Sequence, residues 1–366
     1  MRRIIDRIDS RSWSNDFLSR AVGDQIGSYF AYAANESLRE SAASGGAVTA
    51  ILLHLLDSHE IDGALVVSSI VEDGKLTCQF SIAATRDEII AAQGSKYSAV
   101  YFQRDAVPLI RAFNGRLAVV LLPCDAKSLR RLRIAESEID AKIAFVVTLF
   151  CGHNSEPELT DALVARYGSK HGALRGYQHR FGHWRGKLRI RYEDGTEIIR
   201  PFADFSVYQN LFFFSQKKCH ACFDHLGFYC DLAAGDIWSQ KMKQDPIKKN
   251  AIVVRSRRAA ELLFELSQVG VLCVDTVTIQ DVCNGQSRAL PFHYNVSARS
   301  RVGKLFGMRL RDVTRIDATW NQIVVAFLVM LNERITRGRI GQKIVLAIPK
   351  PILRAYLVVL KGLESI

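Results

Sequence analysis

The residues of this chain best suited to chemistry lie between Lys217 and Trp238, in the stretch KKCHACFDHLGFYCDLAAGDIW. Cys219 and Cys222 form a Cys-x-x-Cys, the spacing that lets two thiolates on one tight turn face a single metal or cluster. Two ligands do not complete such a site. Further thiols stand at Cys230 just downstream and at Cys124 and Cys151 far upstream. If they converge, the chemistry is that of a cluster-bearing electron carrier; otherwise the pair reads as a zinc turn, a redox dithiol or a chance spacing.

Cys124 and Cys151 occur in equivalent settings. RLAVVLLPC and AKIAFVVTLFC are apolar runs of strand length, and each ends in cysteine. The first leads into the helical pattern DAKSLRRLRI, the second into a Gly turn. Open α/β sheets place ligands beyond the carboxyl ends of their strands, and a helix start stabilises a thiolate. Two cysteines so placed on adjacent strands are expected to lie close enough to share a ligand.

Small residues gather at two other helix boundaries. Ser44, Gly45 and Gly46 precede Ala47, Val48, Ile51, Leu52, Leu55 and Leu56, the buried stripe of a helix. That start could admit an anion or serve only as a cap. A short helix, TRDEIIAAQ, ends at Gly94-Ser95-Lys96-Tyr97, a turn that could present Lys96 and Tyr97 to a phosphate or a flavin ring; a solvated lysine is the plainer alternative.

The elements around these residues alternate strand and helix. Residues 61 to 84 read as two strands joined at Glu72 to Lys75, and KLRIRYEDGTEIIRPF as a hairpin turning at Asp194-Gly195. NAIVVRSRRAAELLFELSQVG adds a strand and a helix, VLCVDTVTI a further strand, and the segment from Gly27 to Tyr32 is expected to extend across a surface. The fold class expected is α/β: a mixed sheet with flanking helices, an inserted hairpin-containing subdomain and a basic helical C-terminal tail.

Composition sets the bounds. With 366 residues and 48% apolar content, the chain can bury a full core. Eight irregularly spaced cysteines are too few for a disulfide scaffold, and MRRIIDRIDSRSW lacks the apolar run of a signal peptide, so a cytoplasmic chain with reduced thiols is expected. The net charge of +12 is concentrated at the end, where Arg299 to Ile366 holds thirteen Lys and Arg against four acids. Such a tail suits an acidic partner or an anionic bilayer face. Nucleic acid is not expected, because no stacking aromatics are interleaved and no binding motif occurs. The apolar core from Ile323 to Leu331 is too short to cross a bilayer, whereas KIVLAIPKPILRAYLVVLKGL could lie on one.

SGGAVTA, AAQGSKY, LPCDAKSLR, LFCGHNS and the Cys-x-x-Cys stretch, in this order and at these separations, resemble the beta-subunit family of coenzyme F(420) hydrogenases and dehydrogenases. The hydroxymethyl-chlorophyll reductases of plants and cyanobacteria resemble the same family. The similarity runs from about Ile26 to Asp281. It implies an iron–sulfur flavoprotein oxidoreductase that holds FAD and a four-iron four-sulfur cluster. Electrons would pass between ferredoxin or a donor subunit and a small-molecule hydride donor or acceptor such as a deazaflavin.

Carried over by residue, the cluster ligands would be Cys124, Cys151, Cys219 and Cys222. Ser44, Gly45, Gly46, Gly94, Ser95, Lys96 and Tyr97 match the segments lining the flavin, and Asp236 belongs to the motif after the paired cysteines with Asp224, Gly235 and Trp238. Lys96, as a charge near the flavin, and His153, as a proton donor, are the catalytic candidates; otherwise His153, His220 and His225 are expected to face solvent. The division that follows is 1–40 as an extension, 41–170 as a flavin-binding α/β region, 171–290 as a second α+β region and 291–366 as the tail.

The chain also departs from the family. No cysteine precedes Cys78, so a second cluster near the start is not expected, and Cys230 is a spare or substitute ligand. No Gly-x-Gly-x-x-Gly follows a strand, which leaves a standard nicotinamide fold without support. Two readings of other classes compete: a zinc-stabilised binding module, and a thiol enzyme with Cys124 as nucleophile and His153 as base. A homo-oligomer and a peripheral contact of the tail with the inner membrane face stay open.

Overall fold

Apolar runs punctuated by Gly, Pro and capping residues fold into the strands and helices of a computed structural model that describes residues 12–168 and 170–365. The strands are β1 (Gly27–Ala33), β2 (Gly63–Glu72), β3 (Lys75–Ala83), β4 (Leu117–Leu121), β5 (Ile143–Leu149), β6 (Leu174–Phe181), β7 (Lys187–Tyr192), β8 (Glu197–Pro201), β9 (Leu232–Asp236), β10 (Asn250–Val254) and β11 (Leu272–Thr276). Eight of them form one sheet in the order β11-β1-β10-β9-β5-β4-β2-β3; β6, β7 and β8 form a small antiparallel sheet of their own. The sheet is mixed, as expected: β2, β4, β5 and β9 run parallel, and the remaining pairings are antiparallel.

The parallel strands are mainly apolar where helices cover both faces. On one side Ala118, Val147, Ala234 and Ile252 meet Ile51 and Leu55 of the Ala47–Asp57 helix and Leu262 and Leu266 of the Arg257–Gln268 helix. On the other, Leu117, Val119 and Val146 meet Ile110, Ala126 and Leu129 from the helices Val107–Ala112 and Pro123–Ala135.

One segment differs from expectation. Gly27 to Tyr32 belongs not to a surface crossing but to β1, an inner strand between β10 and β11. Its small residues are the reason it fits, since Ala31 and Ala33 are fully enclosed under the helix that begins at Ala47.

A second core joins the hairpin subdomain to the tail. Leu188 and Ile190 of β7, the aromatics Phe202, Phe205, Tyr208 and Phe212 to Phe214, and residues of the last three helices, Trp320–Thr336, Arg339–Ala347 and Lys350–Ser365, bury one another. Leu353 and Leu360 of the last helix are 1% and 0% exposed. Each burial contributes about 2 kcal/mol, enough for a few such contacts to fasten the tail. Among the described residues no helix is long and apolar enough to cross a membrane, and all eight cysteines are free.

Because β4, β5 and β9 are parallel neighbours, their carboxyl ends open on one edge of the sheet. Cys124 follows β4, Cys151 follows β5 and Asp236 ends β9. The Ala47–Asp57 helix starts on the same edge. A Cβ at Gly45 would lie 2.8 Å from the Ala31 carbonyl oxygen and 2.9 Å from the Asn250 nitrogen, so only glycine lets that helix start flush against β1 and β10.

Candidate functional site

Each of the four cysteines is fixed by local backbone structure. Cys124 is the second residue of the Pro123–Ala135 helix, started by a proline whose missing N–H costs nothing there. The Cys151 N–H donates to the His225 carbonyl at 3.0 Å, and the His225 ring pairs through Nδ1 with the Cys151 carbonyl at 2.9 Å. Cys219 and Cys222 lie on and just past the single 3-10 turn Lys217–Ala221, where the Cys222 N–H donates to the Cys219 carbonyl at 3.2 Å. The Asn154 N–H points at the Cys219 sulfur, 3.5 Å away.

The four thiols are one another's electrical neighbours. Burial pushes the Cys151 pKa well up, and the charges of Cys219, Cys124 and Cys222 push it further. Burial raises Cys124 as well, followed by Asp125 and, more weakly, by Cys222 and Cys219. Cys222 is pushed up to about 11, mainly by burial. Protons held this tightly by crowded thiols are displaced by a positively charged metal centre, which deprotonates its ligands. Among the described residues no three of His, Cys, Asp and Glu come close enough to grip a single ion. Four cysteine thiolates are the donor set that iron–sulfur clusters and structural zinc ions both use.

Two cations face the thiols. Burial opposes the charge of Lys218, but Cys124, Asp125 and Cys219 outweigh it and hold its pKa up. Arg299 is 1% exposed; its Nη2 donates to the carbonyls of Cys222 at 2.8 Å and His293 at 3.1 Å, and its guanidinium lies 4.2 Å from the Phe292 ring centre. Its Nε and Nη1 have no partner. Burial lowers its pKa to about 10, against the pull of Cys222 and Cys219, so it stays charged at neutral pH. A buried cation with two unpaired donors calls for nearby negative charge, which a four-thiolate cluster supplies. Sequence reasoning missed Arg299. It lies among the many basic residues of the tail, and nothing in its neighbourhood signals burial.

A narrow cleft on the same edge is lined by Ser44, Arg180, Trp184, Asp236, Trp238, Lys248 and Lys249. Arg180 pairs with Asp236 and lies 4.8 Å from the Trp238 ring centre. Tyr97, packed between Phe202, Phe205 and His179, reaches the cleft through Arg180, and its hydroxyl also bonds Ser95. Lys248 donates to the Ala42 carbonyl at 2.6 Å, and burial lowers its pKa to about 8. The cleft thus gathers three cations, one carboxylate and two indole rings. Arg180 and Lys248 were not among the sequence candidates; Arg180 lies on β6, whose LRGYQHRF shows no strand-like alternation.

The other candidates fall in different places. Ser44 donates to the Lys249 carbonyl at 2.7 Å, Gly46 adopts φ +75° as the helix N-cap, and the Cβ of any residue at Gly94 (φ +93°) would meet open space. Lys96 turns back onto the carbonyls of Ala92 and Gln93 at the end of the Arg86–Ala91 helix, and burial lowers its pKa to about 8. The histidines do not face solvent. His220 and His225 are 0% and 2% exposed, and His153 stacks on Phe212 at 4.2 Å with an enclosed, unpartnered Nε2 and a pKa that burial lowers to about 4. Cys230 is turned away from the four thiols; its sulfur accepts from Thr148 Oγ1 at 3.1 Å and faces the Gly227 carbonyl at 3.3 Å, with Arg255 and Asp224 as charged neighbours.

Two family descriptions match this chain, coenzyme F420 hydrogenase/dehydrogenase beta subunit N-terminus over residues 28–103 and its C terminus over residues 114–280. Together they span well over half of the sequence. The chain belongs to this family. The coenzyme F420 hydrogenase subunit beta of Methanococcus voltae is 26% identical over 70% of this chain and 85% of its own length. That of Methanosarcina barkeri is 24% identical over 60% and 72%. A chain of the F420-reducing NiFe hydrogenase complex of Methanosarcina barkeri superposes with a TM-score of 0.61 at 17% identity, covering 82% of this chain and 99% of that one, and so shares the fold. The family is one of oxidoreductases. Its matched region contains all four cysteines and Asp236 but stops short of Arg299 and the last three helices.

Proposed function

We propose that the protein is an iron–sulfur flavoprotein oxidoreductase, with a four-iron four-sulfur cluster on Cys124, Cys151, Cys219 and Cys222 and FAD along the cleft of Ser44, Tyr97, Arg180 and Asp236. The observation that carries the reading is the meeting of four thiols from three distant segments beside the exposed Lys218 and the buried Arg299. Bound together, a cluster and a flavin exchange single electrons for a two-electron hydride step. The chain's own part is to bury and orient them. Arg180, Lys248 and Lys249 offer charge to a diphosphate, and Trp184 and Trp238 offer flat apolar surfaces. Lys96 is the candidate for charge near the flavin and His153, neutral in its enclosed position, for a proton near the cysteines.

The hydride partner is a small molecule, and the names of the relatives make a deazaflavin the first to try. Electrons come from ferredoxin or a donor subunit, in a reducing, cytoplasmic compartment that suits eight free thiols. The thiol-enzyme reading is disfavoured, because burial and Asp125 keep Cys124 protonated and His153 stacks on Phe212 rather than bonding Cys124. Anaerobic purification with iron, sulfide and flavin analysis tests the proposal, followed by reduction with ferredoxin and with a deazaflavin. Cluster-level iron and stoichiometric flavin are expected. Colourless protein holding zinc would replace the reading with the binding module.

A further inference from the structure

The last two helices each bury one face and leave an apolar stripe on the other. In Arg339–Ala347, Val345 enters the second core while Ile340, Ile344 and Ala347 are exposed, the first by 78%. In Lys350–Ser365, Leu353 and Leu360 go inward while Ile352, Ala355 and Val359 stay outside, at 58% and 59% for Ile352 and Val359. Both sets recur at three- and four-residue intervals, the spacing of one helix face. Both helices rest on Trp320–Thr336, so the stripes point away from the core.

The charges beside these stripes have one sign. Arg334, Arg339, Lys343 and Arg354 are exposed and form no ion pair among the described residues. The two acids of this region are already used: Glu333 pairs with Arg337, and Glu364 with Arg288. Aliphatic stripes flanked only by unpaired cations are the pattern of helices that lie in the plane of an anionic membrane surface. Protein interfaces instead favour aromatic residues and matched polar groups.

We infer that residues 339–365 form a peripheral docking surface for an anionic lipid bilayer. The helices lie flat, the longer one about 24 Å in length, with the aliphatic stripes in the acyl boundary and the cations at the headgroup phosphates. The inference does not depend on the cluster or the flavin.

Flotation of the full chain with vesicles tests it. Phosphatidylcholine vesicles containing phosphatidylglycerol should carry the protein upward, phosphatidylcholine alone should not, and raising the salt should release it. Lys343→Glu with Arg354→Glu should lower the bound fraction at least about tenfold, from about fivefold per cation. Ile344→Ser with Val359→Ser should abolish binding; circular dichroism and urea midpoints unchanged from the parent verify that both variants fold. No flotation on anionic vesicles, equal binding to neutral ones, or an unaffected aliphatic variant would overturn the inference. So would self-association in sedimentation that Ile344→Ser with Val359→Ser abolishes while the vesicles are ignored.

Discussion

The cysteine pocket and the Arg180–Asp236 cleft open on the same sheet edge, yet they bury charge in opposite ways. In the cleft, Arg180 meets a carboxylate and the Tyr97 hydroxyl, and only its Nε lacks a partner. In the pocket, Arg299 has two carbonyls and the Phe292 ring, and the groups that pull on its charge are thiols rather than a carboxylate. The cleft is balanced by its own side chains. The pocket reaches balance only when its sulfurs are anions, which links the charge of Arg299 to the chemistry of the cysteines.

The contrast can be tested at both ends. The largest effect is expected from Cys219→Ser, which removes one thiolate of four and should reduce bound iron and sulfide to background while flavin content persists. Loss of both together would mean that the two sites are one. Next, Asp236→Ala leaves Arg180 enclosed and unpaired and should cost about 3 kcal/mol in urea unfolding. Arg299→Met in iron-free protein should cost less than about 1 kcal/mol, because it removes an ill-matched cation along with its two carbonyl bonds. Equal penalties would erase the distinction.

A separate effect is a pH dependence. Burial lowers Lys96 to about 8 from its ordinary 10.5. Between those values the unfolded chain binds the proton and the folded chain does not, so stability rises with pH across that window. Lys96→Met should remove a rise of about 3 kcal/mol at most, read as the difference between the two proteins in urea midpoints on either side of the window. A parallel pH course would show that Lys96 does not titrate there.

Much of this was legible in the sequence where local pattern and tertiary role coincide. Cys124 and Cys151 could be placed because an apolar strand followed by a helix or a Gly turn fixes where the next residue points. The β7–β8 hairpin was legible from alternation around Asp194-Gly195. β1 was not, because GSYFAYA has small residues where a strand core shows branched ones. Arg180 and Arg299 were not, because the burial of a charge depends on which distant segment covers it. Gly45 was legible as a special position, but its tight approach to Ala31 and Asn250 is a packing demand that local sequence does not separate from anion binding.

The Val296–Gly303 helix packs against the Lys217–Ala221 turn on one side and against Trp320–Thr336 on the other. A fragment ended at residue 280 would retain every cysteine of the pocket and lose the wall that Arg299 builds beside them. Among the final seventy residues this one helix therefore couples the two regions, and a change in it would be felt by the cysteine pocket and by the tail together.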